Sequence, residues 1–498
     1  MYKNLPFLNY NIDKHLLLMD FLFKTKPYDH QLEALEKSFN KEEFALFMEM
    51  GCGKSKVVID NFVHLHREGK INGVLIIAPK GVYDTWYSKE IPNHVPEEIN
   101  YYCVKWSNAN TKKKQKEIEG LYENEETLNI FIMNVEALST KVGTQRATDF
   151  LFKRKCMFII DESTTIKNHM AKRTQNTVRI GKYAYYKRIL TGSPVTKSPL
   201  DLYSQSYFLD PSLLGFSSYF AFRNRYADLI DRTLGNGRTF KHIVGYKNLT
   251  ELNEKLNSFS YRVLKKDCLD LPDKVYLKRK IAMTDEQKRV YKDIQKKANA
   301  VLTQGTVTIN HIITQIIRLH QISCGFVGLD GGGITELKSQ RLPELLEILE
   351  ETDGKVIIWA NYRHDIQKIE AELTRIYGQG TVGTYYGDVP QERREEVINL
   401  FQDPESSLRF FVGNTQTGGY GITLTEASTV IYYSNNYDLE KRLQSEDRAH
   451  RIGQKNKVTY IDIVCERTVD EKIVTALRRK QNIAQTVLGE DHWKNWLL

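Results

Sequence analysis

Three sets of residues, far apart in a chain of 498, could do chemistry together that none does alone. The first is Gly51-Cys52-Gly53-Lys54-Ser55. Its glycines let backbone N–H groups converge on phosphate oxygens, Lys54 can neutralise the outer phosphates of a nucleotide triphosphate, and the Ser55 hydroxyl can reach magnesium. The second is Asp161-Glu162, in which Asp161 would hold magnesium and Glu162 would orient or deprotonate an attacking water. The third runs from Gln444 to Gln454 and carries Arg448 and Arg451, whose charge can stabilise a phosphoryl group in transfer. Each set has a plainer explanation when taken singly. The full phosphate-loop pattern wants a glycine where this chain has Met48, and a glycine turn capping a helix gives similar letters. An Asp-Glu pair after a strand can be a solvated turn, and a lone arginine a surface residue.

Chemistry of this kind needs strand ends to present it. Phe44 to Met48 is a short apolar run that reads as a buried strand, and Val57 to Phe62 resumes as a helix, so the glycine turn sits between strand and helix. Cys156 to Ile160 is a second such strand with Asp161 at its carboxyl end, where ligands gather in open parallel sheets. Further strands are expected at 73–78, 130–133 and 188–191, with amphipathic crossovers between them. A second series follows at 355–360, 381–385, 408–412, 429–433 and 458–461. The fold class expected is α/β, with two doubly wound parallel-sheet lobes and helical insertions. The boundaries are a nucleotide-binding lobe at 1–262 with a helical insertion at about 199–256, a hinge at 263–283, a helical insertion at 284–335, a second lobe at 336–480 and a helical tail at 481–498.

Composition limits the partners. Lys plus Arg exceeds Asp plus Glu by nine, which permits a polyanionic partner, yet the charge is diffuse over a chain of this size. The six cysteines show no Cys-x-x-Cys pair, so neither a zinc site nor a disulfide framework is indicated, and a reducing cytoplasm is expected. No uncharged apolar run reaches membrane-spanning length, so no membrane partner is expected. His311, His320 and Cys324 lack a fourth partner for a metal, Lys112-Lys113-Lys114 reads as a solvated helix face, and Trp493 and Trp496 suit a docking terminal helix.

From Gln31 onward, nearly the whole chain resembles the Swi/Snf-type ATPases of helicase superfamily two, whose motifs occur here in order. The resemblance implies two RecA-like lobes, ATP and magnesium as cofactors, and a nucleic-acid partner. Pro27 to Gln31 is similar to the adenine-reading segment, with Gln31 on the base, and the family's phosphate loop also lacks the first glycine, which removes the objection from Met48. The implied ATP contacts are Gln31, Gly51, Cys52, Gly53, Lys54, Ser55, Gly421 and Gln444, with Ser55 and Asp161 on magnesium. The implied catalytic set is Lys54, Asp161, Glu162, Arg448 and Arg451, the arginines acting as fingers.

Leu190 to Pro194 resembles the coupling motif, which assigns that task to Thr191, Gly192 and Ser193. Ala78-Pro79-Lys80 and the glycine-rich run from Thr415 to Leu424 resemble strand-contacting motifs, and the nucleic-acid contacts implied are Lys80, Asn134, Tyr362, Thr417 and Gly418. Two departures stand out: Ser163-Thr164 replaces the family's Gly-His, and Tyr437-Asp438 stands where Trp-Asn is usual.

The function expected is an ATP-dependent translocase, acting as a monomer, that tracks the backbone of double-stranded DNA and remodels DNA or protein–DNA complexes. No histone-reading module is recognisable, which argues against nucleosome remodelling. The alternatives are an RNA or single-strand DNA unwinding helicase on the same scaffold, and a non-catalytic clamp that uses ATP only to close.

Overall fold

A computed structural model describes residues 20–488, apart from 81, 108–110, 234–236, 238, 304–308, 330 and 419–421. The chain divides into two units: 1–228 with 245–269 and 484–498, and 229–244 with 270–483.

The first unit is organised by strands β1 (Glu43–Met48), β2 (Gly73–Ala78), β3 (Tyr101–Lys105), β4 (Leu128–Asn134), β5 (Cys156–Asp161) and β6 (Tyr186–Leu190). Beyond a two-stranded sheet of β7 (Ala227–Thr233) and β8 (Thr239–Tyr246), the chain adds β9 (Ser260–Val263). The order is β3-β4-β2-β5-β6-β1-β9, with every pairing parallel. Central strands such as Gly73–Ala78 and Cys156–Asp161 are buried along their whole length, as a sheet covered on both faces requires, and this is why they are continuous apolar runs. The helix Lys54–Arg67 covers one face through Val57, Val58, Phe62 and Val63, and its last turn carries His64, His66 and Arg67 at the negative helix end. Arg188 of β6 is fully buried and ties the turn before β1, donating to the carbonyls of Ser38, Lys41 and Glu42 and to Asn61 Oδ1.

The second unit is built on β10 (Lys274–Ile281), β13 (Lys355–Trp359), β14 (Val382–Tyr385), β15 (Phe410–Gly413), β16 (Ala427–Tyr432) and β17 (Val458–Cys465). β11 (Phe326–Gly328) and β12 (Ile334–Glu336) pair separately as an antiparallel ribbon. The main sheet has the order β10-β17-β16-β13-β15-β14, again parallel throughout. Two cores flank it, one around Ile358, Ile366, Leu373 and Val412, the other around Trp359, Phe411, Tyr432 and Tyr460.

The α/β architecture expected from the sequence is therefore present in both units, with three corrections to its details. The expected hinge at 263–283 is mostly ordered structure: Lys274–Ile281 forms β10, paired residue for residue with β17. Its basic composition hid it, because an edge strand has one row of hydrogen-bonding groups and much of its surface turned to water. The expected helical insertion at 199–256 holds helices Leu202–Leu209, Tyr219–Tyr226 and Leu249–Phe259, but also β7 and β8. The 284–335 segment holds two helices, Asp285–Thr303 and Ile309–Cys324, and then the β11–β12 ribbon. Residues 481–488 continue the helix Val469–Leu488, while Trp493 and Trp496 lie outside the described residues. Among the described residues no helix is long and apolar enough to cross a membrane.

Candidate nucleotide site and strand-contact loops

The parallel register of the first sheet brings separate motifs to one edge. Leu46 of β1 lies beside Leu190 of β6, Asp161 of β5 is also in register with Leu190, Ile77 of β2 is beside Ile160, and Ala78 is beside Asn134 of β4. The loop after β1, the Asp161-Glu162 pair, Thr191 after β6, Lys80 after β2 and Asn134 at the end of β4 therefore share the carboxyl edge of one sheet, the position at which open α/β sheets bind ligands.

The phosphate loop is held from several sides. Gly51 and Gly53 take φ of 85° and 80°, a left-handed region closed to most side chains. A Cβ on Gly53 would stand 2.1 Å from Gln31 Nε2. That amide nitrogen donates to the Cys52 carbonyl at 3.3 Å, which also bonds His30 Nε2 at 2.9 Å, while Gln31 Oε1 accepts from the Tyr28 N–H at 3.0 Å. Gln31 thus braces the loop and caps its own helix through the same amide. Beside it a cleft of about 890 Å³ is lined by Tyr28, His30, Glu33, Tyr261, Arg262 and Lys266, with the Tyr28 and His30 rings stacked. Lys54 begins the following helix and turns its ammonium onto the carbonyls of Met48 (2.9 Å) and Glu49 (3.4 Å). Glu49 accepts from the Lys265 N–H at 2.8 Å, and Arg262 bridges the carbonyls of Phe47 and Gly192, each at 2.8 Å. Cys52 faces the core, its sulfur 3.7 Å from that of Cys268, and burial pushes its thiol pKa up.

The acidic pair is set with equal care. Asp161 Oδ2 accepts from the indole N–H of the fully buried Trp86 at 2.8 Å, and Oδ1 from the Glu162 N–H at 3.0 Å. Burial pushes the Asp161 carboxyl above the usual range, while the Trp86 hydrogen bond and the Lys54 charge pull it back. Glu162 sits at φ 48°, ψ 64°, rare for a residue with a side chain and a conformation that costs energy. Its Oε2 accepts from the Thr191 hydroxyl at 3.2 Å, and Thr191 Oγ1 accepts in turn from the Ser193 N–H at 3.1 Å. Gly192 lies against the phosphate loop, since a Cβ there would meet Met50 N at 3.0 Å. The three coupling candidates thus connect the acidic pair to the loop.

Ser163, in the place of the family's glycine, donates to Gln205 Oε1 at 2.6 Å, and Gln205 Nε2 donates to the carbonyls of Pro194 (2.9 Å) and Asp201 (2.8 Å). Lys167 donates to Thr196 at 2.7 Å. Sequence reasoning missed Trp86 as the partner of Asp161, His30 as a brace of the loop, and Gln205 as the partner of Ser163. None had a local signal, because each meets its partner only through the fold.

A carboxylate at a strand end and a hydroxyl at a helix start are hard oxygen donors of the kind magnesium takes, together with phosphates and water. Asp161 and Ser55 fit that role. Among the described residues there is no group of three or more His, Cys, Asp or Glu able to form a protein-only metal cage.

In the second unit, β13 and β15 end side by side, Trp359 in register with Gly413. Tyr362 follows the first and the short helix Thr415–Gly418 the second. Asn414 joins them, its Nδ2 donating to the carbonyls of Ala360 (3.2 Å) and Asn361 (2.8 Å), while its own carbonyl accepts from the N–H groups of Thr417 and Gly418. A Cβ on Gly418 would stand 2.5 Å from the Trp359 ring, so the helix packs flat on the indole. Tyr362 turns inward: its hydroxyl bonds His320 Nδ1 at 2.8 Å, and its ring meets Phe326 edge-on. Asn134 in the first unit caps the turn after β4, accepting from the Ala137 N–H at 2.9 Å, whereas Lys80 is exposed. Gly421 lies outside the described residues.

The arginine motif follows the helix Leu439–Glu446. Arg448 is buried, donating to the carbonyls of Gln444 (2.9 Å) and Ile422 (3.1 Å), and Arg451 reaches the same Ile422 carbonyl at 3.3 Å. Both arginines are therefore anchored to the segment that leaves the glycine-rich motif. Gln444 is buried beside them and donates to Glu440 at 3.4 Å.

The chain is similar to known families and proteins. Residues 30–325 match the SNF2-related domain, and residues 337–453 the helicase conserved C-terminal domain. The chain is 27% identical over 471 residues to the ATP-dependent helicase brm of Drosophila melanogaster, covering 88% of this chain and 27% of that protein. It is 26% identical over 485 residues to the DNA annealing helicase and endonuclease ZRANB3 of Mus musculus, covering 95% and 42%. The chain spans less than half the length of these curated relatives. Among solved structures, the Sulfolobus solfataricus SWI2/SNF2 ATPase core in complex with dsDNA is 23% identical with a TM-score of 0.43, covering 95% of this chain and 99% of that one.

Proposed function

The chain belongs to the SNF2-related family, and from that premise we propose that it is an ATP-hydrolysing motor that tracks the backbone of double-stranded DNA. One observation carries the catalytic part: Glu162, in a strained conformation beside Asp161, is aimed by Thr191 from the strand that also leads to the coupling residues. A glutamate held this way is positioned to orient a water, and Thr191 and Gly192 link its placement to the phosphate loop. Gly51 to Lys54 grip the phosphates, Gln31 and the Tyr28–His30 cleft receive the base, and Arg448 and Arg451 supply positive charge to the transferring group. Magnesium, held by Ser55 and Asp161, would offset charge on the phosphates. Lys80 and Asn134 on one sheet, and Thr417 and Gly418 on the other, contact the DNA strand. Tyr362 supports that surface from beneath, its hydroxyl being engaged by His320.

Duplex DNA is preferred because one of the curated relatives is named as a DNA annealing helicase. The curated relatives are much longer than this chain, and only their shared motor, not their further activities, is carried over. The test is ATP turnover with duplex DNA, single-stranded DNA and RNA, alongside triplex displacement on linear duplex. Duplex-stimulated turnover with ATP-dependent displacement is expected; strongest stimulation by RNA would defeat the duplex assignment. Glu162→Gln should retain ATP binding and lose turnover by about two to four orders of magnitude, which separates a motor from an ATP-gated clamp.

A further inference from the structure

The arginine motif is fastened to the first strand of its own sheet by a buried polar cluster. Glu446 directly precedes Asp447 and Arg448, and its carboxylate is almost wholly buried. Oε1 accepts from Arg442 Nε at 2.8 Å and Oε2 from the Tyr276 hydroxyl at 2.7 Å, with Lys274 Nζ at 3.6 Å. Lys274 also lies 3.8 Å from Asp447, and His450 Nε2 bonds the Pro272 carbonyl at 2.7 Å. Arg442 is fixed in its turn, donating to Asp462 and Asn435 and lying over the Tyr432 ring with 3.4 Å between guanidinium carbon and ring centre. Tyr460 stacks on Tyr276 and donates to the Glu446 carbonyl at 2.9 Å.

Pro272, Lys274 and Tyr276 thus each touch a residue within two positions of Arg448, and all three belong to the stretch of chain that enters the second unit. A carboxylate taken out of water persists only if its donors are fixed, and fixed donors fix the carboxylate. The consequence is geometric: where β10 goes, the turn carrying Arg448 and Arg451 goes too.

We propose that Tyr276, assisted by Lys274, is a positioning residue for the arginine fingers, acting through Glu446. The inference rests on the reading of Arg448 as a finger. Nothing in the sequence marks Tyr276, which sits in a basic strand outside every motif named above.

The experiment is a two-by-two comparison of kcat and KM for ATP in the full chain, under saturating DNA, with single-turnover measurement for slow variants. Tyr276→Phe removes one hydroxyl and leaves the stacked ring. It should lower kcat about tenfold, the effect of losing one hydrogen bond to a charged acceptor, with KM unchanged within twofold. Lys274→Met should lower kcat by about two- to threefold in the same way, and serves where Tyr276→Phe fails to fold. In an Arg448→Ala background, either change should alter kcat by less than twofold, because the group they position is gone. A loss equally large with and without Arg448, or a normal kcat in Tyr276→Phe, overturns the proposal. If Arg448→Ala itself leaves kcat unchanged, the finger reading fails and the proposal falls with it, an outcome distinct from the other two.

Discussion

Replacing Trp86 by Phe tests whether Asp161 holds magnesium. The indole N–H donates to Asp161 Oδ2 at 2.8 Å inside a fully buried site, and phenylalanine keeps an aromatic ring there but no donor. A hydrogen bond to a charged group is worth about 1.5–3 kcal/mol, and its loss leaves the carboxylate less stable as an anion. Its loss raises the carboxyl pKa. Burial has already raised it, so the acid limb of the activity profile should move further toward neutral pH. Weaker donors around a ligand usually lower metal affinity by about 10- to 100-fold. ATP turnover titrated with free magnesium near pH 8 should therefore show a half-saturation point raised by that factor, with most of kcat recovered at high magnesium. An unchanged half-saturation point in a variant with near-normal melting temperature would refute the assignment of Asp161, since the hydrogen-bond donor to its carboxylate is gone while the fold is kept.

Three other outcomes are expected. Gly53→Ala places a Cβ 2.1 Å from Gln31 Nε2 in left-handed backbone, so ATP binding by equilibrium dialysis should drop at least tenfold while the far-ultraviolet spectrum is kept. Asp365, buried in the second unit, has its carboxyl pushed up to about 8 by desolvation; its folded form holds a proton that the unfolded form releases above about pH 4, so stability falls as pH rises through this window, by about 1.4 kcal/mol per unit at most. Asp365→Asn should flatten that slope, and a melting curve series from pH 5 to 8 in which variant and parent run parallel would disprove it. DNA affinity should fall with salt at a log–log slope of roughly 0.9 per phosphate neutralised on duplex; a flat response would contradict backbone tracking.

What the sequence made legible was governed by burial. β1, β2, β4 and β5 were readable because strands buried on both faces carry apolar runs, β6 showed only its apolar end at Ile189-Leu190 beside Lys187 and Arg188, and the five strands expected in the second series correspond to β13 to β17. β3, β9 and β10 were not: the first begins with exposed Tyr101 and Tyr102, the second has four residues, and the third is half basic, with Lys274 and Lys278-Arg279-Lys280 around three apolar or aromatic residues. At the site, the glycines, Lys54 and the acidic pair announced themselves by local spacing. Trp86, His30 and Gln205 did not, since a partner 75, 22 or 42 residues away leaves no local pattern. Tyr362 was read as a strand contact by position alone, and only the packing of His320 shows where its hydroxyl goes.

The exchange of Gly-His for Ser163-Thr164 fits the same logic. A glycine at 163 could make no side-chain bond there, whereas Ser163 ties the turn to Gln205, itself fastened to the carbonyl of Pro194 beyond the coupling residues. Glu162 is thereby linked to the 191–194 segment twice, once through Thr191 and once through the chain that starts at its neighbour. If that second link substitutes for the contacts a histidine makes in the family, then Ser163→Gly should lower kcat while sparing ATP affinity, and Gln205→Leu should do the same without a further loss in the double variant. Additive losses would mean that the two residues serve separate ends, and the substitution would then be a local repacking with no bearing on coupling.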